Sequence, residues 1–182
     1  MGTALSSLRG VAHVYGDDVD TDRIIPGKYT KTLDVEDLAE HVLEDLDPEF
    51  SGRVQAGDIL VAGENFGCGS SREQAPVAIK AAGVAVVVAD YFARIFYRNA
   101  INVGLPVVEV GPHEIKSGHE VEVDLANGVV RDVTAGREYE ATQMPQVMIE
   151  ILEAGGLVSY LGEHGDYDSA AHSDNPRRSD GE

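Results

Sequence analysis

The sequence predicts an α/β domain in which a parallel-sheet core is followed by an antiparallel hairpin. Residues 58–62 and 84–89 are continuously apolar instead of alternating, as strands covered on both faces are. Each of these runs is followed by a segment of helical period that leads into another apolar run. Beyond Gly111 the pattern changes: Val121, Val123 and Leu125 alternate and meet Asn127-Gly128, a strong turn dipeptide. At 182 residues and 43% hydrophobic composition, the chain is long enough for one domain with a sizeable core and short for two.

Taken in order, residues 11–15 read as a first strand, and Gly16-Asp17-Asp18-Val19-Asp20-Thr21-Asp22 as a turn-rich loop after it. Residues 35–46 carry Val35, Leu38, Ala39, Val42 and Leu46 near helical spacing, with Asp34 placed as a cap and Pro48 beyond the end, so an amphipathic surface helix is expected. The strand at 58–62 runs into the glycine-rich loop Gly63-Glu64-Asn65-Phe66-Gly67-Cys68-Gly69-Ser70-Ser71 and then a helix over 72–82. After the strand at 84–89, Asp90 is suited to cap a helix over 91–103, which Gly104 and Pro106 stop before a strand at 107–110. Two successive strand-helix-strand units predict right-handed crossovers. Val129, Val130 and Val133 supply the return strand of the hairpin, and Pro145 opens a last helix with Val147, Met148, Ile151 and Leu152 on its apolar side, ended by Gly155-Gly156. Residues 1–162 form the domain. Residues 163–182, poor in apolar side chains and rich in Ser, Asp, Gly, Asn, Pro and Arg, read as an acidic disordered tail.

The balance of 14 Lys+Arg against 32 Asp+Glu gives a formal charge of −18, which repels nucleic-acid phosphates and anionic membrane surfaces and removes both from the partner classes. Six acids against two arginines in the tail account for −4, so −14 belongs to the domain. Two readings suit that surface: a halophilic host whose salt screens the charge, and an ordinary acidic protein. The longest apolar run, 81–89, is half of the roughly 18 residues a membrane-spanning helix needs. The N-terminus lacks a basic stretch followed by an apolar one. A cytoplasmic protein is expected. The single cysteine, Cys68, excludes an internal disulfide and cannot alone hold zinc or an iron–sulfur cluster, which take about four ligands. The histidines at 13, 41, 113, 119, 164 and 172 show no ligand spacing, so no metal is assigned to this chain.

The densest chemical signal is Gly67-Cys68-Gly69-Ser70-Ser71-Arg72-Glu73. Glycines at 67 and 69 let the backbone approach a ligand, and a helix starting after Ser70 directs its free N–H groups to the same place, which makes an anion site. Ser70, Ser71 and Arg72 add two hydroxyls and a guanidinium suited to carboxylate or phosphate. The structural alternative is a helix cap, since Ser70 and Glu73 have the spacing of a capping box. No Gly-Lys-Ser/Thr ends the run, so it is not a P-loop. Cys68 has three readings: a metal ligand, a nucleophile, or a small residue beside the loop. Asp17, Asp18, Asp20 and Asp22 match a calcium loop by count but not by spacing, and turn and cap roles compete with that reading.

Gly16-Asp17-Asp18-Val19-Asp20-Thr21-Asp22 with Ile24-Ile25-Pro26, then Asn65-Phe66-Gly67-Cys68-Gly69-Ser70-Ser71-Arg72-Glu73, then Phe92-Ala93-Arg94-Ile95-Phe96-Tyr97-Arg98-Asn99, resemble in order and spacing the small subunits of 3-isopropylmalate dehydratases. The segment Glu150-Ile151-Leu152-Glu153-Ala154-Gly155-Gly156-Leu157 is similar to their short archaeal-type branch, and the resemblance runs from about Gly10 to Leu161. It implies the swivelling β/β/α domain that corresponds to the mobile fourth domain of aconitase. It also implies a large partner subunit holding a four-iron four-sulfur cluster with one iron open as a Lewis acid. By the same resemblance Ser70 is the base that takes a proton from carbon, and Ser71 and Arg72 bind substrate carboxylate. Asp20, Thr21, Asp22, Gly67, Cys68 and Gly69 support the loop.

The implied reaction interconverts 2- and 3-isopropylmalate by dehydration and rehydration, in leucine biosynthesis. The alternative is a homoaconitase or related tricarboxylate hydro-lyase. Substrate choice falls in the family to the segment here reading Gly27-Lys28-Tyr29-Thr30-Lys31-Thr32, where an apolar residue meets the isopropyl group and an arginine meets an extra carboxylate. Lys31 departs from both: as a substrate contact it favours the extra carboxylate, and its alternative is to face solvent. A function of another class, a stand-alone anion-binding module, keeps the loop without the chemistry.

Overall fold

The computed structural model describes residues 7–29, 31–32 and 34–163. Among these, strands β1 (Ser7–Val14), β2 (Ile59–Val61), β3 (Val86–Ala89), β4 (Val107–Glu109), β5 (Glu120–Asp124), β6 (Val129–Asp132) and β7 (Arg137–Glu140) join in one mixed sheet, in the order β4-β3-β2-β1-β5-β6-β7. The β1, β2, β3 and β4 neighbours are parallel, and the β1, β5, β6 and β7 neighbours are antiparallel. Strand β1 serves both halves: Ser7 to Val11 pair with β5, and Ala12 to Val14 with β2. The predicted parallel core and antiparallel hairpin are both present.

Helices α1 (Thr21–Ile24), α2 (Val35–His41), α3 (Phe50–Arg53), α4 (Gln74–Ala81), α5 (Arg94–Val103) and α6 (Gln146–Glu153) accompany the sheet, with a 3-10 turn at Gly27–Tyr29. The continuous apolar runs do what double-sided cover requires: every residue of β2 and β3 is buried. Strand β5 alternates instead, with Val121 and Val123 inward and Glu120, Glu122 and Asp124 half-buried. Asp34 caps α2 by accepting from the Glu36 N–H at 3.0 Å. Gly104 ends α5 in the left-handed region at φ 84°, and Pro145 precedes α6 as expected. No helix among the described residues is long and apolar enough to cross a membrane.

Several bounds differ, each for a physical reason. Strand β1 begins at Ser7 because its first half is recruited by β5, a partner remote in sequence. The helix expected over 35–46 stops at His41, where Leu43 turns to φ 58° and donates its N–H to the Ile24 carbonyl, so that Val42 and Leu43 are both buried. Helix α4 begins at Gln74 and not at 72, after a bend at 69–70 and a turn at Glu73, and α5 begins at Arg94 and not at 91, because residues 91–93 belong to an extension of the sheet described below. Helix α3, strand β7 and a helical stretch at 157–163 were not expected; β7 has one inward aromatic, Tyr139, and no apolar alternation to announce it. The tail expected to be disordered lies outside the described residues from 164 onward.

Phe50, from α3, packs against the second half of β1. It is fully buried, with the His13 ring edge-on at 5.3 Å and the Tyr15 ring at 6.1 Å, while His13 Nε2 meets Asp58 Oδ2 at 2.7 Å. Phe50→Ala is expected to lower unfolding free energy by about 3–5 kcal/mol, read as a shift of the urea midpoint at unchanged slope.

Candidate active site

The three chain segments leaving the C-terminal ends of β1, β2 and β3 remain side by side after the strands end. Asp20 bridges Cys68 in parallel register, and Phe66 bridges Phe92 likewise. Backbone hydrogen bonds hold this extension: Gly67 N–H to the Val19 carbonyl at 2.8 Å, Thr21 N–H to the Cys68 carbonyl at 2.9 Å, and Ala93 N–H to the Phe66 carbonyl at 2.9 Å. The Thr21 side chain, buried, donates through Oγ1 to the Ser70 carbonyl at 2.8 Å. Ser70 is therefore presented at the carboxyl edge of a parallel sheet, where open α/β folds place their ligands.

Glycines 67 and 69 have φ of 83° and 91°, the left-handed region that favours glycine. At 67 there is a second reason: a Cβ would sit 2.2 Å from a ring carbon of Phe96. Phe96 belongs to an aromatic cluster under the loop, with Phe66 at 5.2 Å and Phe92 stacked at 6.0 Å. The loop thus rests on a rigid apolar floor and turns its hydroxyls outward.

Above this floor lies an open cavity of about 240 Å³, lined by Thr21, the 67–72 loop and the start of α5 with Asn99. The structure brings Ser70, Ser71 and Arg72 together here, with Gly67, Gly69 and Thr21 behind them. Among the described residues the side chains of Ser70, Ser71, Arg94 and Asn99 have no hydrogen-bond or ion-pair partner, so four polar groups converge on the cavity uncommitted. Arg72 is different: its Nη1 meets Asp22 Oδ1 at 2.5 Å and the Ile25 carbonyl at 3.2 Å. Lys31 is exposed and does not line the cavity.

The capping-box reading of Ser70 and Glu73 is overturned. Glu73 itself takes the N-cap position of α4, no side chain caps it, and Ser70 lies four residues before the helix. The helix whose first turn lines the cavity is α5, preceded by Ala93, whose side chain cannot cap; its leading N–H groups have no intrahelical acceptor. A helix capped by Asp90 and starting at 91 places Arg94 inside the helix, whereas the structure puts Arg94 at the mouth of α5 with Asn99 on the cavity, both within the motif that carries the resemblance. The absence of a capping side chain at Ala93 was the available signal.

The acidic loop has turn and cap roles. Asp17 Oδ1 accepts from the Glu64 N–H at 2.7 Å, Asp18 Oδ1 from Asn65 Nδ2 at 3.1 Å, and Asp20 Oδ1 from the Arg23 N–H at 2.9 Å. No three His, Cys, Asp or Glu groups among the described residues are placed to hold a metal ion. Cys68 lies half-buried beside the loop, and burial, then the charges of Asp20 and Asp18, push its thiol above the usual range. A raised pKa makes the free thiol a weaker nucleophile at neutral pH, and no three His, Cys, Asp or Glu groups among the described residues form a metal site with it.

Residues 13–111 match the Aconitase C-terminal domain family. A 3-isopropylmalate dehydratase small subunit of Caldicellulosiruptor bescii is 57% identical over 156 residues, spanning 85% of this chain and 94% of that one. A methanogen homoaconitase small subunit of Methanothermobacter thermautotrophicus is 54% identical over 153 residues, 84% of this chain and 89% of that one. The crystal structure of a 3-isopropylmalate dehydratase from Methanocaldococcus jannaschii superposes with a TM-score of 0.84 at 48% identity, covering 91% of this chain and 99% of that one.

The environment of Cys68 gives a pH-dependent expectation. Because its thiol is pushed up, the reactive thiolate accumulates only above the usual cysteine range near 8.5. The rate of iodoacetamide alkylation followed from neutral to alkaline pH should inflect above that of free cysteine, and Asp20→Asn should bring the inflection down. An inflection below that of free cysteine contradicts the burial and charge account.

Proposed function

This chain belongs to the family of 3-isopropylmalate dehydratase small subunits, built on the aconitase C-terminal domain, and we propose that it is the proton-handling and carboxylate-gripping half of a hydro-lyase interconverting 2- and 3-isopropylmalate. The observation that carries this reading is the convergence of Ser70, Ser71 and Arg72 on one open cavity at the carboxyl edge of the parallel sheet. An open half-site of this kind is completed by a second protein surface, and the large subunit implied by the relatives' names supplies it, in the cytoplasm.

Family membership implies an iron–sulfur cluster, and the residues of this chain do not fit one. Cys68 is its only cysteine, its thiol is held protonated, and no group of three ligands converges among the described residues. We assign the four-iron four-sulfur cluster to the large subunit. This chain's own part is to hold a carboxylate and to move one proton.

Arg72, tethered through Nη1, offers its Nε and Nη2 edge to a substrate carboxylate, a two-point contact that a planar guanidinium makes well. Ser71 adds a hydroxyl donor. Ser70 acts as the base: its alkoxide takes the proton from the carbon next to a carboxylate during dehydration and returns it on rehydration. A serine hydroxyl is far too weak an acid to be ionised in water, so its alkoxide needs positive potential in a site closed to water. The first turn of α5, Arg72 and Arg94 supply that potential around the Ser70 hydroxyl, which has no partner among the described residues.

In the pair reconstituted anaerobically with its large subunit, Ser70→Ala is expected to reduce turnover of isopropylmalate by about 10²–10⁴-fold with assembly intact. Its melting temperature should not change, since Ser70 caps no helix. Arg72→Lys should be nearly as damaging as Arg72→Ala, because an ammonium cannot reproduce a planar two-point contact. Survival of activity within tenfold in the serine variant places the base elsewhere, and absence of turnover by the wild-type pair favours a stand-alone anion-binding module.

The homoaconitase relative at 54% identity and the cation at Lys31 favour tricarboxylates as a second reading. If Lys31 reaches substrate in the closed pair, Lys31→Val should shift the ratio of kcat/KM values toward isopropylmalate over the tricarboxylate by about 10- to 200-fold. General damage to the segment lowers both numbers and cancels in the ratio. An unchanged ratio leaves Lys31 in solvent and isopropylmalate as the substrate.

A further inference from the structure

Arg72 borders the cavity and is held from the neighbouring 22–27 segment. Its Nη1 lies 2.5 Å from Asp22 Oδ1 and 3.2 Å from the Ile25 carbonyl, and a Cβ added to Gly27 would stand 3.4 Å from Nη2 and 3.5 Å from Nη1. Two acceptors therefore sit at one end of the guanidinium while the 25–27 backbone limits its movement on one side. Nε and Nη2 have no acceptor among the described residues. A free arginine side chain has many rotamers, and its planar fork is useful to a carboxylate in only one orientation. The Asp22 side chain is mostly exposed, at 65%, so the pair contributes little to folding stability. Its Arg72 partner, at 21%, is mostly covered and borders the cavity.

We propose that Asp22 is a positioning residue for Arg72: with the Ile25 carbonyl it holds Nη1, so that the Nε and Nη2 edge is aimed at substrate carboxylate before substrate arrives. This rests on the functional reading above, in which Arg72 grips that carboxylate. Asp22 touches no reacting atom. It acts through Arg72 by removing orientations the guanidinium would otherwise have to abandon on binding, which is a ground-state effect and appears in KM.

Two measurements test this. In the reconstituted pair, Asp22→Ala should raise KM for isopropylmalate by about 10- to 100-fold with kcat changed less than about threefold. Asp22→Asn, which keeps an acceptor at the same place, should lie between Asp22→Ala and wild type. The melting temperature should stay put, and Asp22→Ala added to Arg72→Ala should do no further harm. A KM that is unchanged, or that falls because Asp22 had been competing with substrate for the guanidinium, overturns the proposal; so do independent effects of the two alanine variants. The second measurement needs no turnover. In the isolated full-length chain, the ¹⁵N–¹H signal of Arg72 Nε, assigned by its loss in Arg72→Lys, should broaden or move toward the position of mobile arginines in Asp22→Ala. An unaltered signal overturns the positioning role. Failure of the wild-type pair to turn over isopropylmalate counts against the functional reading alone, and the Arg72 signal then decides on Asp22.

Discussion

The site depends on a backbone constraint: three segments that have already left their strands keep parallel register for a few residues more. Val19 to Thr21, Phe66 to Cys68 and Tyr91 to Ala93 are joined by main-chain hydrogen bonds. These bonds delay the start of α5 until Arg94, and the Thr21 side chain adds a bond from Oγ1 to the Ser70 carbonyl. Gly67 is the place where the constraint is tightest, because no side chain fits between its backbone and the Phe96 ring.

From that constraint follows a division of chemical labour. The chain holds hydroxyls, guanidinium groups and helix N–H groups at one edge, all suited to anions and proton transfer, and keeps its single thiol protonated beside acidic neighbours. Among the described residues no three His, Cys, Asp or Glu groups stand together for a metal, whereas hydroxyl and guanidinium groups line one cavity. The chain is acidic, at −18 overall, yet this cavity is lined by Arg72 and Arg94 and by no carboxylate.

Much of this was legible in the chain because the signals were local. The buried runs of β2 and β3, the cap at Asp34, the stop at Gly104 and the turn near Gly128 rest on residue types within a few positions of each other, and the Gly67 to Arg72 loop announced itself by composition. The errors arose where distant partners decided. Asp90 and Ser70 have the chemistry of caps, yet Phe92 just after Asp90 pairs with Phe66, and the Ser70 carbonyl is taken by Thr21 Oγ1, partners roughly 25 and 50 positions away in sequence. Leu43 leaves the helix because Ile24 offers its N–H an acceptor and the core takes its side chain. Strand β7 is an edge strand specified by its pairing with β6 and not by its own pattern. The place of Arg94 and Asn99 on the cavity became visible only once the mouth of α5 was located.

Strand β1 has a consequence for how the molecule is made. Its first half finds its partner in β5, with Ser7 opposite Asp124, whereas its second half pairs with β2 some 45 residues on. During synthesis the Ala12 to Val14 segment can dock as soon as β2 leaves the ribosome, and β3 and β4 can be added to the same growing sheet. Ser7 to Val11 must wait, with one edge unpaired, until more than a hundred further residues have been translated. Chain order therefore imposes a folding order: the parallel half that carries the 67–72 loop can be assembled first, and the antiparallel wing closes last over an edge that is open to mispairing in the interval.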